Sequence, residues 1–255
     1  MSKRFLALLA ALCLLFLTAC GQPTAAPTTE ATVAPTTEAT QPATEAPVRT
    51  VPLHSGIRED GTFDEGTLFI GDSLTNGFVF DNLMLYNRIG DAKYMAIVGA
   101  PVQAYFDGPH FHADIVGIYS HIFRNMIMSQ GVEMIGSEIT AVYFMLGSNY
   151  SVYTTYETYE KIVEHLLEYC PNATIYLQKI PYSFSDTVEY ELVNGILEEL
   201  YQHYATSVDT RVMLIDTFSA IGDQLVGDGI HVHPDGQQEW YKTLLEFAEE
   251  NNIPQ

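Results

Sequence analysis

Polar residues able to do chemistry occupy four short stretches of this chain. The first is Gly71-Asp72-Ser73, which ends the apolar run Leu68-Phe69-Ile70. A strand that stops on a glycine, a carboxylate and a hydroxyl makes either a tight turn or a presented nucleophile. The last is Asp228-Gly229-Ile230-His231, a carboxylate and an imidazole three residues apart. On a helical turn that spacing makes the two side chains neighbours. The carboxylate then accepts the imidazole Nδ1–H and fixes its tautomer, leaving Nε2 to take a proton from a hydroxyl. Between them, in Gly147-Ser148-Asn149, the Asn149 amide NH2 is a donor suited to a developing oxyanion. Gly99 completes the set, although a glycine after a strand usually serves only the backbone.

These stretches need elements to hold them. Leu68–Ile70, Tyr94–Val98, Ala141–Leu146, Thr174–Ile180 and Val212–Ile215 read as strands. All are short and mostly apolar without strict alternation, as strands covered on both faces are. Helical spacing puts Tyr159, Ile162, Val163 and Leu166 on one face of Tyr156–Tyr169. It likewise groups Leu192, Val193, Ile196, Leu197 and Leu200 within Val188–Tyr204. A final helix, Pro234–Asn251, carries Trp240, Leu244, Leu245 and Phe247. Alternating strands and helices predict an α/β fold with a parallel sheet and helices on both sides. Sites in such sheets lie at the carboxyl ends of the strands. Ser73, Gly99 and Asn149 each follow a strand, and GDGIHVHPDG precedes the last helix, so all four loops should converge on one edge.

In this order the motifs resemble the SGNH/GDSL hydrolase family: GDSLTNG, a glycine turn after the second strand, LGSN, then DGIH before a terminal helix. The resemblance covers the folded domain from about Leu68 to Phe247 and includes the bacterial lipoprotein form of the family. It implies a flavodoxin-like three-layer α/β/α sandwich with a central, mostly parallel sheet. It also implies serine ester hydrolysis with no metal and no cofactor. By motif position Ser73 is the nucleophile, His231 the general base and Asp228 its orienting acid. The oxyanion donors are the Ser73 backbone N–H, a backbone N–H of the Gly99 loop and the Asn149 side chain. Two departures stand out. Tyr150 replaces the Asp that often ends the third motif, so the packing there must differ. Where the family often has a second glycine, three residues after Gly99, this chain has Val102, whose backbone N–H remains available. No Gly-x-Ser-x-Gly occurs, so the α/β-hydrolase elbow is absent.

Two other readings compete. His110-Phe111-His112-Ala113-Asp114 and His231-Val232-His233 contain ligand types that zinc hydrolases gather. No further His or Cys follows the first string at a familiar metal spacing, and a polar loop explains it as well. His233 reads as a loop residue before Pro234, and as the substitute base if His231 is not the one. A surface binding module is the second rival, with Tyr150, Tyr153, Tyr156 and Tyr182 lining a sugar groove. Aromatic residues at such spacing more often pack a core.

The ends and composition fix the setting. Lys3 and Arg4 precede the apolar run Phe5–Leu17, then Leu17-Thr18-Ala19-Cys20. This predicts a secretory signal over 1–20, too short for a membrane span. LTAC resembles a bacterial lipobox, which implies Cys20 as a lipidation site, whereas an ordinary signal would leave it a chance cysteine. Residues 21–52 are rich in Pro, Thr, Ala and Glu, hold APTTEAT twice, and predict a disordered tether. Residues 53–255 are long enough for one domain with a full core. The net charge is −21, and Lys3 and Arg4 are the only charges before Cys20. So acidic a surface excludes nucleic acid and, apart from a lipid anchor, a membrane partner. Of three cysteines only Cys170 falls in the domain, as a buried residue at a helix end, so no disulfide is expected. The expected protein is a lipid-anchored or secreted esterase on the outer face of a bacterial membrane. It would take a short acyl ester, such as acetyl, on a small molecule or polysaccharide.

Overall fold

The computed structural model describes residues 51–108, 126–183 and 189–254. The expected signal peptide, Cys20, nearly all of the expected tether, and His110, His112 and Asp114 lie outside these residues.

Five strands make one all-parallel sheet: β1 (Thr67–Gly71), β2 (Lys93–Ala96), β3 (Ala141–Met145), β4 (Thr174–Gln178) and β5 (Val212–Ile215). Their order is β2-β1-β3-β4-β5, which is the flavodoxin-like doubly wound order. Every residue of β1, β3 and β4 is buried, which explains why the sequence shows no alternation there.

The register lines up Tyr94, Phe69, Tyr143, Tyr176 and Met213 in one row across the sheet. Phe69 stacks on Tyr143, and Tyr143 on Tyr176, with ring centroids 5.1 and 4.7 Å apart. Two helices cover this face. α1 (Ser73–Met84) sets Phe78 against Phe69, and the last helix, α7 (Pro234–Glu250), sets Phe247 against Tyr176. The other face carries α2 (Ala104–Asp107) and α4 (Tyr156–Tyr169), whose Tyr105 and Tyr159 pack edge-on against Phe144. α3 (Met128–Ile135) and α5 (Tyr190–Ser207) flank α4. α6 (Thr217–Ile221) links β5 to the segment before α7. The result is the three-layer α/β/α sandwich. Among the described residues no helix is long and apolar enough to cross a membrane.

At the amino ends of the strands an incoming strap closes the sheet. His54 N–H donates to Thr174 Oγ1, while Tyr176 and Tyr143 hydroxyls donate to the carbonyls of His54 and Ser55. The opposite edge is left to the site.

Two expectations need correction. Leu192 was expected on the buried face of α5, but it is exposed. Val193, Leu197, Leu200 and Tyr204, at helical spacing, define the face that packs inward. The second strand ends at Ala96 and not Val98. Ile97 N–H bonds the Gly71 carbonyl, after which the chain turns and Val98 projects into solvent.

Candidate active site

The turn after β1 is held by a buried carboxylate. Asp72 caps α1, its Oδ1 accepting from Leu74 N–H at 3.0 Å. Its Oδ2 accepts from Gly147 N–H, Ser148 N–H and Ser148 Oγ–H at 3.3, 3.1 and 2.7 Å. Asp72 thus pins the end of β1 to the end of β3. Burial pushes its pKa above the ordinary carboxylate value, and the four donors oppose that rise. Gly71 lets the two backbones approach. A Cβ there would overlap the Met145 carbonyl oxygen and Thr75 Oγ1.

Ser73 is therefore the first residue of a 12-residue helix. Among the described residues its N–H has no partner, as expected in a first helical turn, and the helix dipole favours a negative charge beside it. Among the described residues its hydroxyl has no partner either, and the residue is 9% exposed. A hydroxyl and an unpaired donor share one residue at the sheet edge.

The loop after β2 approaches from one side. Gly99 takes φ +76 with no atom within 4 Å of where a Cβ would lie, so conformation and not packing calls for glycine there. Ala100 N–H is used by the Ile97 carbonyl, whereas those of Gly99 and Val102 have no partner among the described residues. Either can donate to an oxyanion. The same loop runs into α2, which is moored to α4 and α3 through Tyr105 Oη to His165 Nδ1 (2.9 Å) and His165 Nε2 to Glu133 (3.3 Å).

Asn149 joins this loop to the one after β3. Its Nδ2 donates to the Ala100 carbonyl at 3.3 Å and to Ser148 Oγ at 3.2 Å. Ser151 Oγ donates to Gln103 Oε1 at 2.7 Å and adds a second tie. Tyr150 points outward and is 47% exposed.

Asp228 and His231 meet at 2.7 Å through Oδ2 and Nδ1. They do so on a hairpin tip and not on a helical turn. Val226 N–H bonds the His231 carbonyl and His233 N–H the Gln224 carbonyl, around a Leu225–Val232 bridge. Asp228 Oδ1 accepts from Ile230 N–H (2.9 Å) and His231 N–H (3.0 Å), which folds the tip tightly enough to close the pair. The His231 hydrogen bonds, aided by Ile230 N–H, hold Asp228 down at about 2. His233, the alternative base, caps α7 and accepts from Asp235 N–H.

The hairpin reaches the same edge because α7 starts beside α1. Phe78 packs on Trp240 with centroids 4.5 Å apart, and the Gln237 side chain lies next to Gly77. All four residues lie within the first two turns of their helices, which start at Ser73 and Pro234. Ser183 Oγ also donates to the Gly229 carbonyl, joining the hairpin to the segment after β4. No hydrogen bond joins Ser73 Oγ to His231 among the described residues. Such bonds often tighten only when substrate is bound.

The other candidates fall as follows. Cys170 ends α4, fully buried, its thiol pushed up to about 12 by desolvation. Tyr153 is exposed and lines a cavity of about 400 Å³ with Gln103, Phe106 and Thr158. Tyr156 and Tyr182 are partly buried in helix packing. Among the described residues no three His, Cys, Asp or Glu side chains form a metal-binding group. Sequence reasoning missed Ser148, which lay in plain view between Gly147 and Asn149.

No family model matches the chain, and no curated protein matches it. Similar solved structures include a carbohydrate esterase family 3 protein from Talaromyces cellulolyticus, at 16% identity and TM-score 0.48, covering 72% of this chain and 98% of that one. A member of the lipolytic protein G-D-S-L family from Veillonella parvula shares 17% identity at TM-score 0.44, over 71% of this chain and 96% of that one. The C-terminal catalytic domain of Streptococcus pneumoniae peptidoglycan O-acetyltransferase A shares 15% identity at TM-score 0.48, over 74% and 96%.

Proposed function

We propose that the chain is a serine esterase of the SGNH/GDSL kind, acting through Ser73, His231 and Asp228. Ser73 Oγ attacks the ester carbonyl while His231 Nε2 takes its proton. Asp228 holds Nδ1–H and stabilises the imidazolium. The oxyanion is received by Ser73 N–H, by Gly99 or Val102 N–H, and by Asn149. The intermediate collapses, the alcohol leaves with the proton from His231, and the acyl group stays on Ser73. Water, deprotonated by His231, then releases the acid and restores the serine.

The observation that carries this reading is the 2.7 Å Asp228–His231 pair on the hairpin leading into α7, the helix that packs alongside the one Ser73 begins. Exposed Tyr150 and Tyr153 beside these loops favour a carbohydrate as the alcohol part, and the lack of a long apolar insertion in the sequence favours a short acyl group. A signal ending at Cys20 and a long polar tether favour an enzyme anchored by lipid outside a bacterial membrane. The test is a fluorophosphonate applied to residues 48–255, with the adduct located by mass spectrometry. An adduct on Ser73 that disappears in His231→Ala is expected. A folded protein that takes no adduct overturns the assignment.

A further inference from the structure

The amide of Asn149 has two orientations, and only one presents donors to an oxyanion. Something must choose between them, and the hydrogen-bond chain behind it does so by elimination. Asp72 is fully buried and receives four donors, Leu74 N–H, Gly147 N–H, Ser148 N–H and Ser148 Oγ–H. A carboxylate in that position can only accept, so the single proton of Ser148 Oγ must point at Asp72 Oδ2, 2.7 Å away. The hydroxyl then has only lone pairs left for its other neighbour. That neighbour is Asn149 Nδ2 at 3.2 Å. The Ala100 carbonyl, 3.3 Å from the same nitrogen, likewise can only accept. Carboxylate, hydroxyl and carbonyl together demand NH2 and reject the amide oxygen.

We infer that Ser148 is a positioning residue for the reaction: it passes the polarity of buried Asp72 to Asn149 and fixes the amide with its NH2 toward the oxyanion. The inference rests on the esterase reading of the site. Both hydrogens of Nδ2 are engaged in the free protein. The one on the Ala100 carbonyl, the longer bond, is the one released to an arriving oxyanion. The one on Ser148 stays and keeps the amide from turning over. Ser148 itself, 4% exposed and behind Asn149, does not touch substrate.

Five proteins test this: the parent, Ser148→Ala, Ser148→Thr, Asn149→Ala and the Ser148→Ala/Asn149→Ala double variant, with kcat and KM measured on p-nitrophenyl acetate. Losing a donor outright costs roughly 10² to 10³ in kcat, the loss expected for Asn149→Ala. A donor present but free to turn costs less, so Ser148→Ala should lose about 10- to 100-fold in kcat with KM unchanged. In the Asn149→Ala background, Ser148→Ala should cost nothing more, within about twofold, because it acts through the amide. Ser148→Thr keeps the hydroxyl and should restore most of the loss. Multiplicative losses, or full kcat in Ser148→Ala, would overturn the inference. A parent protein with neither turnover nor a Ser73 adduct refutes the esterase reading instead. The relay is then read from the Asn149 side-chain amide in 1H–15N spectra. Its protons should exchange slowly with solvent in the parent and fast in Ser148→Ala, and equal exchange in both would sink it.

Discussion

Asp228→Asn separates catalysis from architecture at the hairpin. Asp228 Oδ1 carries the two backbone bonds that fold the tip, from Ile230 and His231, and Oδ2 alone faces Nδ1. Asparagine keeps an acceptor oxygen for the backbone and puts NH2 where Oδ2 was. That NH2 donates, so Nδ1 must accept, and the imidazole proton moves to Nε2. The base then holds a proton on the nitrogen that should receive one. In enclosed Ser-His-Asp sites this change costs about 10⁴ in kcat. Here both side chains are close to half exposed, 45% and 48%, so water relieves the wrong tautomer in part. We expect a loss of about 10² to 10³ in kcat for p-nitrophenyl acetate. The Tm should move by less than about 2 °C, because the backbone bonds survive. A loss below tenfold would refute the tautomer argument. So would a large fall in Tm, which would show the carboxylate to be holding the fold. The pH dependence has a definite sign. The folded-state value of about 2 lies below the ordinary 3.8. The pair's contribution to stability is thus complete above the ordinary carboxylate range and disappears as pH falls toward 2. The variant should lack this acid-sensitive part, so its stability should approach the parent's near pH 2.

Other outcomes follow from the same geometry. Gly71→Ala drives a methyl into the Met145 carbonyl, where backbone cannot yield. It should cost about 1–3 kcal/mol and lower the Tm by roughly 2–12 °C in a thermal melt; an unchanged Tm would mean the approach is not tight. Cys170, buried with its thiol pushed up to about 12, should resist iodoacetamide at pH 8 in the folded protein and react promptly in guanidinium. Fast labelling of the folded form would contradict the burial. Esterase turnover should survive prolonged treatment with chelator; its loss, restored by zinc, would turn attention to the two His strings.

Much of this arrangement was legible in the sequence because burial on both faces writes unbroken apolar runs. All five strands were identifiable, and Tyr156–Tyr169 matches α4 end to end. The short helices α2, α3 and α6 were not, since 4, 8 and 5 residues hold too few turns for a period to show. Leu192 went wrong because one apolar residue more than a face requires looks like part of the face. In the site, residue types and spacing pointed to Ser73, Asn149, Asp228 and His231. The local shape around Asp228 was not legible, because Asp-x-x-His fits a helical turn and a hairpin tip equally. Nor was the Ser148 relay, which depends on a carboxylate 76 residues away.

The hairpin that carries Asp228 and His231 is closed on itself by one antiparallel bridge and two backbone bonds around it. Among the described residues it is held to the rest by the Ser183 bond to Gly229 and by the packing of Val232, Leu225 and Ile230. Ser73 and Asn149, by contrast, directly follow the interior strands β1 and β3 of the sheet and are tied together through buried Asp72. The two halves of the site therefore belong to regions of different local stability. On warming, the hairpin can open while the sandwich stays intact. Turnover would then fade below the melting temperature of the domain and return fully on cooling. The single tryptophan, Trp240, buried against Phe78 in the second turn of α7, would keep its folded-state fluorescence throughout.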